Sequence, residues 1–282
     1  MGIDLIVSNT KKVEDKECNS YFEQNISNEL ERKQNYFNQP CIEFPITDDN
    51  KILIDRIVKD MYESIKDCGI GLAHSQYPQQ GNATNPYAVF IIEAQDVPFE
   101  AFINPVIAGH TTEKIGFYHG CLSEIGHDRA KMATYKEILV IFRNQNFQVQ
   151  VKKYTDLASV ICQHEFNHLT TKGTYVDAVK YHVHQHPESN EPSFYSTAEQ
   201  VRLDERRYSF DLVGDEIPCL IPDYDLLKCP NYIKGYEAYE QALQLYLQEH
   251  SEDQLLYDNL LMSHQGKETL PLYGEVSHPE SI

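Results

Sequence analysis

The sequence predicts an α+β fold, with antiparallel sheets around a central helix and an additional helical extension at the C-terminus. Three observations support this class: β-rich runs interrupted by turn residues, a helix with one apolar side, and two amphipathic helices near the end. The 282 residues are enough to bury a sizeable core. We predict a polar N-terminal extension at 1–44, a central α+β domain at 45–180 and an acidic, largely helical extension at 181–282.

The first predicted helix follows the polar extension. Apolar residues recur at helical spacing between Ile52 and Ile65, and Asp48 and Asn50 are candidate caps before them. The helix is expected to end before Gly69-Ile70-Gly71, where glycine lets the backbone approach another group closely.

Four β-rich runs, at 87–93, 99–103, 138–142 and 147–151, predict an antiparallel sheet, and the polar residues 143–146 predict a hairpin turn. The central helix is expected at about 156–170, with its apolar side on the sheet. Two acidic amphipathic helices are predicted within 235–250 and 253–262. We expect them to pack on the central domain, with coverage of a cleft or a dimer surface as alternatives.

The central helix carries His164, Glu165 and His168. Histidines four positions apart project from one helix face, and neutral imidazoles suit zinc or iron(II). A bound cation acidifies water, and the carboxylate beside the first histidine can take the proton. The pattern predicts a metal-binding helix in a hydrolase, although three such residues can also coincide on an ordinary helix. Cys121, in the turn 120–123, is a candidate third ligand.

Three segments, in the same chain order, resemble the three motifs of the peptide deformylase family. They are Gly69-Ile70-Gly71-Leu72-Ala73-His74-Ser75-Gln76, then Gly120-Cys121-Leu122-Ser123, then Gln163-His164-Glu165-Phe166-Asn167-His168-Leu169. The segment Phe102-Ile103-Asn104-Pro105 also resembles the Asn-Pro pair that ends a strand in the family. The similarity covers residues 45–177.

The resemblance implies a single divalent metal ion, held by Cys121, His164 and His168. The family prefers iron(II), although zinc, nickel or cobalt often occupies the site after purification. Glu165 would act as the general base toward a water at this ion, and it would return the proton to the leaving amine.

The resemblance also implies a substrate, an N-formylmethionyl peptide. Gln76 and the backbone N–H of Leu122 would stabilise the oxyanion that forms on the formyl group. The residues expected to contact the substrate are Ile70, Gly71, Val160 and Ile161. The side chains of Ile70, Val160 and Ile161 are equally compatible with a role in the core.

Several residues beside the motifs depart from the family pattern. His74 and Ser75 replace a small residue and a proline or threonine, and His119 replaces an acidic residue. Glu124 stands in place of a hydrophobic residue, and Asn167 in place of an aspartate. His74 and His119 could be neutral polar residues at the cleft rim, donors to the ligands or added ligands. Two alternatives therefore stay open: a metal-dependent amidase for another N-acyl substrate, and a non-catalytic binding protein on the same fold.

The net charge of −19 argues against nucleic acid or an anionic membrane as a partner. Residues 187–282 hold 6 Lys+Arg against 19 Asp+Glu, a net −13, so the acidic excess lies in the C-terminal extension. Family members are thought to dock on ribosomes through basic C-terminal segments, and the net charge of this extension has the opposite sign.

Seven scattered cysteines argue against a disulfide framework, and no secretory signal or bilayer-spanning run is recognisable. We predict a cytoplasmic protein. The sequence supports no prediction of its oligomeric state.

Overall fold

The computed structural model describes residues 41–66, 69–76, 86–94, 96–119, 129–170, 195–196, 212–215, 217, 219–221, 226, 228–267 and 272–273. The helices are α1 (Lys51–Ile65), α2 (Asp156–Thr170), α3 (Cys229–Gly235), α4 (Glu237–Glu249) and α5 (Gln254–His264). The strands are β1 (Gly71–Ala73), β2 (Val89–Ala94), β3 (Val97–His110), β4 (Lys114–His119), β5 (Arg129–Tyr135), β6 (Glu137–Arg143), β7 (Val149–Thr155), β8 (Tyr195–Ser196) and β9 (Leu212–Val213). This arrangement confirms the predicted α+β class.

Two antiparallel sheets form the framework. The larger sheet has the order β1-β2-β3-β6-β7, and the smaller sheet has the order β8-β5-β4-β9. The hairpin between β6 and β7 lies where the polar residues 143–146 predicted it. There the side chain of Asn144 accepts hydrogen bonds from the backbone N–H groups of Asn146 (2.9 Å) and Gln148 (3.1 Å), which stabilises the turn.

The strand β3 is longer than predicted and changes register at Asn104 and Pro105. Asn104 adopts a positive φ of 50°, and its side chain bonds both the N–H (2.8 Å) and the C=O (2.9 Å) of Phe44. Phe44 and Cys41 are buried, so residues 41–44 are packed against the sheet although the predicted N-terminal extension includes them. The predicted division at 44 and 180 stays a prediction.

Helix α1 begins without the predicted side-chain cap. Asp48–Asn50 forms a 3-10 turn, and the Asn50 amide donates to the Pro45 carbonyl (3.0 Å) instead of bonding the first turn of the helix.

Strand β2 lies between two hydrophobic cores, because successive side chains of a strand point to opposite faces. Val89 and Ile91 pack with α1, whereas Phe90 and Ile92 belong to the core that includes α2.

The C-terminal helices pack on the large sheet, mainly on β3, β6 and β7. Tyr239 donates to the Asn104 carbonyl (2.7 Å), Asn259 donates to the His110 carbonyl (2.9 Å), and Tyr273 donates to the Pro105 carbonyl. At Gly109 the approach is so close that an added Cβ would lie 2.7 Å from the Leu256 backbone carbon. These helices are therefore built into the core of the fold. None of the helices in the described ranges is long and apolar enough to cross a membrane.

Candidate active site

Buried amide side chains fix the position of helix α2. Gln163 is fully buried; its oxygen accepts from the Tyr135 N–H (2.8 Å), and its nitrogen donates to the Tyr135 carbonyl (2.8 Å). Ser159, one turn earlier, donates to the same carbonyl (2.8 Å). Toward the other end, Asn167 donates to the Leu220 carbonyl (2.6 Å). These bonds tie the helix to the end of β5 and to the segment 219–221, and so set which face it turns toward the site.

Two histidines of α2 bring their Nε2 atoms together. The Nε2 atoms of His164 and His168 lie 3.3 Å apart. Ligating histidine nitrogens lie about 2.0–2.1 Å from zinc, so both nitrogens can reach one ion at this separation. Burial lowers the pKa of His164 to about 4, and burial together with His164 lowers the pKa of His168 well below its ordinary value. Both imidazoles are therefore neutral, as metal ligands must be.

The predicted third ligand lies outside the described residues. Cys121 and Leu122 both fall within 120–128, so their positions at the site stay predictions. Among the residues that the structure describes, no group of three His, Cys, Asp or Glu side chains converges to hold a metal. The two histidines are therefore a candidate pair of metal ligands, and the identity of a third ligand stays a prediction.

Glu165 lies between the two histidines in sequence and is 4% exposed. Burial raises the pKa of its carboxyl group well above the usual value. Its Oε2 atom is buried and has no hydrogen-bond partner within the described part of the chain. On the other side, a Cβ added to Gly71 would lie 2.5 Å from Oε1, so the carboxylate lies directly against the β1 backbone. A buried carboxyl group with an unsatisfied oxygen, on the helix that also carries the two neutral imidazoles, fits the set of groups that would serve a cation and its water.

Gln76 ends a buried 3-10 turn that follows β1. Its Oε1 accepts a hydrogen bond from the Ala73 N–H (2.9 Å), which identifies Nε2 as the donor end of the amide. In the same turn, His74 Nδ1 accepts from the Tyr87 N–H (2.9 Å), and the two rings stack. His74 is 1% exposed, so it does not lie at an open rim. Its contacts give it a structural role in holding this turn against the start of β2.

The residues predicted to contact the substrate differ in their surroundings. Ile70 is 42% exposed, and the adjacent Gly71 is the residue that contacts Glu165. Ile161 belongs to the hydrophobic core that α2 shares with the sheet. Val160 is buried but belongs to neither of the two core clusters that the described residues form.

Two contacts of the site depend on tertiary packing; the sequence did not predict the first, and it left the second open as one of the alternatives for His119. One is the bonding of Gln163 to Tyr135, for which the only signal was an amide on the apolar side of the helix next to His164. The other joins His119, the last residue of β4, to His164, with the two Nδ1 atoms 3.1 Å apart. The only sequence signal at His119 was its departure from the family pattern.

Known proteins match the segment that contains this site. A model of the family described as polypeptide deformylase matches residues 11–183. Peptide deformylase 2 of Nostoc sp. (strain PCC 7120) is 31% identical over 126 residues, and the peptide deformylase of Christiangramia forsetii is 27% identical over 133 residues. Each alignment covers 41% of this chain, and the two cover 66% and 64% of those relatives, just under two thirds of their lengths.

A crystal structure of peptide deformylase from Thermotoga maritima is 25% identical. Its alignment covers 48% of this chain and 84% of the Thermotoga chain, with a TM-score of 0.40. The match to the family model spans more than half of the chain and includes both histidines and Glu165. This chain belongs to the polypeptide deformylase family.

Proposed function

We propose that this chain is a metal-dependent amidohydrolase that removes the formyl group from N-formylmethionyl peptides. One observation carries the proposal: two imidazole nitrogens lie 3.3 Å apart, and the residue after the first histidine supplies a buried carboxylate. Membership of the polypeptide deformylase family supports a formylated peptide as the substrate.

The proposed metal ligands are His164, His168 and Cys121. When bound, the ion acidifies water and polarises a carbonyl group. Imidazole and thiolate donors suit several first-row metals, and we propose iron(II) as the natural one, with zinc or nickel as substitutes.

Glu165 is the proposed general base and general acid. It takes a proton from the attacking water and returns it to the leaving nitrogen, so that the formyl C–N bond breaks and formate and a free α-amine are released. Burial raises the pKa of its carboxyl group, which makes Glu165 a stronger base toward the attacking water. Gln76, whose oxygen is held by the Ala73 N–H, would donate its amide NH₂ to the oxyanion, with the Leu122 backbone N–H as the second donor.

We propose that the methionine side chain of the substrate contacts Ile70 and Val160. Ile70 is an exposed apolar residue adjacent to Gly71. Val160 lies one helical turn before His164 and, among the residues with described positions, belongs to neither core cluster. Ile161 is the weaker candidate, because the core already uses its side chain.

Hydrolysis of another N-acyl amide is the second candidate function. It is favoured by His119, which is buried beside His164 at a position where the family pattern has an acidic residue. In either case we propose a cytoplasmic enzyme. A deformylase would act on free peptides, since the acidic C-terminal residues would be repelled by ribosomal RNA.

The test is anaerobic purification with metal analysis, followed by formate release from formyl-Met-Ala-Ser. We expect about one metal ion per chain and formate release that Glu165→Gln reduces by at least 10²-fold. Glu249→Gln, an exposed glutamate at the end of α4, is the matched control and should retain full activity. Stoichiometric metal without formate release would refute the deformylase proposal, and a panel of other N-acyl amines would then test the second candidate.

A further inference from the structure

We propose that His119 is a positioning residue, which accepts a hydrogen bond from Nδ1 of His164 and thereby presents the Nε2 lone pair of His164 to the metal. This inference rests on the metal site of the proposed function, but it does not depend on which amide the enzyme cleaves.

The two rings lie in one plane and meet edge to edge. His119 is 3% exposed, and its ring plane is inclined by only 12° to that of His164. The ring centres are 5.3 Å apart, which is 2.2 Å more than the 3.1 Å between the two Nδ1 atoms. That excess is about the sum of the distances from each ring centre to its own nitrogen, so both nitrogens lie near the line between the centres. This is the geometry of an in-plane hydrogen bond, since face-to-face rings would be closer together.

The direction of this bond follows from the other edge of the His164 ring. A neutral imidazole carries one N–H, and the Nε2 atom of His164 lies beside Nε2 of His168, where the metal would bind. Nε2 must therefore carry the lone pair, which leaves the proton on Nδ1. His164 is then the donor and His119 the acceptor. The reverse direction would put the His164 proton on Nε2 and prevent metal binding.

The identity of the acceptor affects how strongly His164 holds the metal. An acceptor on the far ring nitrogen fixes the tautomer and raises the basicity of the ligand, and a charged acceptor does so more strongly than a neutral one. Here the acceptor is a neutral imidazole, at a position that is acidic in the family pattern. We expect the metal to be bound less tightly than it would be with a carboxylate at 119.

The experiment measures zinc affinity of the full-length chain by competition with a chelator, for wild type and three variants. His119→Phe keeps a ring without an acceptor and should weaken zinc binding by about 10- to 100-fold. His119→Gln keeps a neutral acceptor and should stay within a few-fold of wild type. His119→Glu should bind zinc at least as tightly as wild type, and more tightly than His119→Gln.

Two further measurements separate positioning from a general effect on folding. Thermal unfolding of the metal-free forms reports the structural cost of each substitution. Nitrogen NMR of the zinc-bound wild type should show His164 protonated at Nδ1, and that proton should exchange faster in His119→Phe. Should His119→Phe fail to fold, the comparison of His119→Glu with His119→Gln still tests the expected order.

Equal zinc affinity in wild type and His119→Phe would overturn the inference, as would equal losses in all three variants or a wild type that binds no zinc. Formate release is measured separately. Zinc affinities in the expected order without formate release would leave His119 as the positioning residue and refute only the deformylase activity.

Discussion

Replacement of Gly71 by alanine would place a methyl group where the Glu165 carboxylate lies. The added Cβ would be 2.5 Å from Oε1 and 2.9 Å from the carboxyl carbon. Non-bonded atoms of this kind need about 3.5 Å, so the carboxylate has to move by about 1 Å. Glu165 is only 4% exposed, and its surroundings leave few places for it to go. A displacement of about 1 Å of a catalytic group typically costs about 10²-fold in rate, which is the loss of kcat/KM we expect.

The assay is formate release from formyl-Met-Ala-Ser, together with metal content. Metal content should not change, because the three atoms nearest to the added Cβ all belong to Glu165 and not to the histidines. Gly235→Ala is the matched control, since a Cβ there meets nothing within 4 Å, and it should leave activity at the wild-type level. Activity of Gly71→Ala within about twofold of wild type would refute the argument, and loss of metal in parallel with activity would show that the effect does not act through Glu165.

Three further predictions test the support of the site. Gln163→Leu removes the bonds from α2 to both backbone groups of Tyr135, so urea denaturation should show a loss of about 2–4 kcal/mol in unfolding free energy; a loss below about 1 kcal/mol would contradict the assigned role. Gly109→Val forces α5 away from β3, because even a Cβ would lie 2.7 Å from the Leu256 backbone, and it should lower the melting temperature by several degrees, whereas Gly235→Val should lower it less. Removal of metal by a chelator should abolish formate release, and iron(II) or zinc should restore it; activity that survives complete removal would exclude the proposed site.

The strongly periodic parts of the fold could be predicted from the sequence. Helix α2 spans Asp156–Thr170, as expected, and α1 and the β6–β7 hairpin also lie where they were predicted. In each case the signal is local: apolar residues recur at the helical period, or a polar turn separates two β-rich runs. The same locality explains why the four-residue spacing of His164 and His168 was sufficient to place both side chains on one face of a helix.

Elements that depend on distant partners could not be predicted. Strand β4 contains Gly116 and strand β5 contains two alanines, residue types that are depleted in strands, and the two strands are held by pairing with each other. Strand β3 continues beyond Pro105 because the register shifts there, whereas a proline normally argues against a strand interior. Helix α3 begins with a proline in its first turn and is too short for a periodic signal.

The same distinction holds within the site. The contact of His119 with His164 joins residues 45 apart, and that of Gln163 with Tyr135 joins residues 28 apart. Gly71 and Glu165 are farther apart still and meet only because β1 and α2 pack together. A motif shows which residue types are present, but the partner of each side chain is set by tertiary packing. The assignment of Cys121 as a ligand and Leu122 as an oxyanion donor stays a prediction.

The bonds from the C-terminal helices to β3 also affect how the protein is made. Tyr239 and Asn259 bond carbonyl groups of residues that lie 135 and 149 positions earlier in the chain. At a synthesis rate of about 5–20 residues per second, β3 leaves the ribosome roughly 7–30 s before the segments that cover it. During that interval an apolar face of the sheet has no cover, so the nascent chain should require chaperones more than a chain whose sheet is covered by nearby segments. The sheet would therefore be fully covered, and the proposed activity should appear, only after the C-terminal helices have been synthesised.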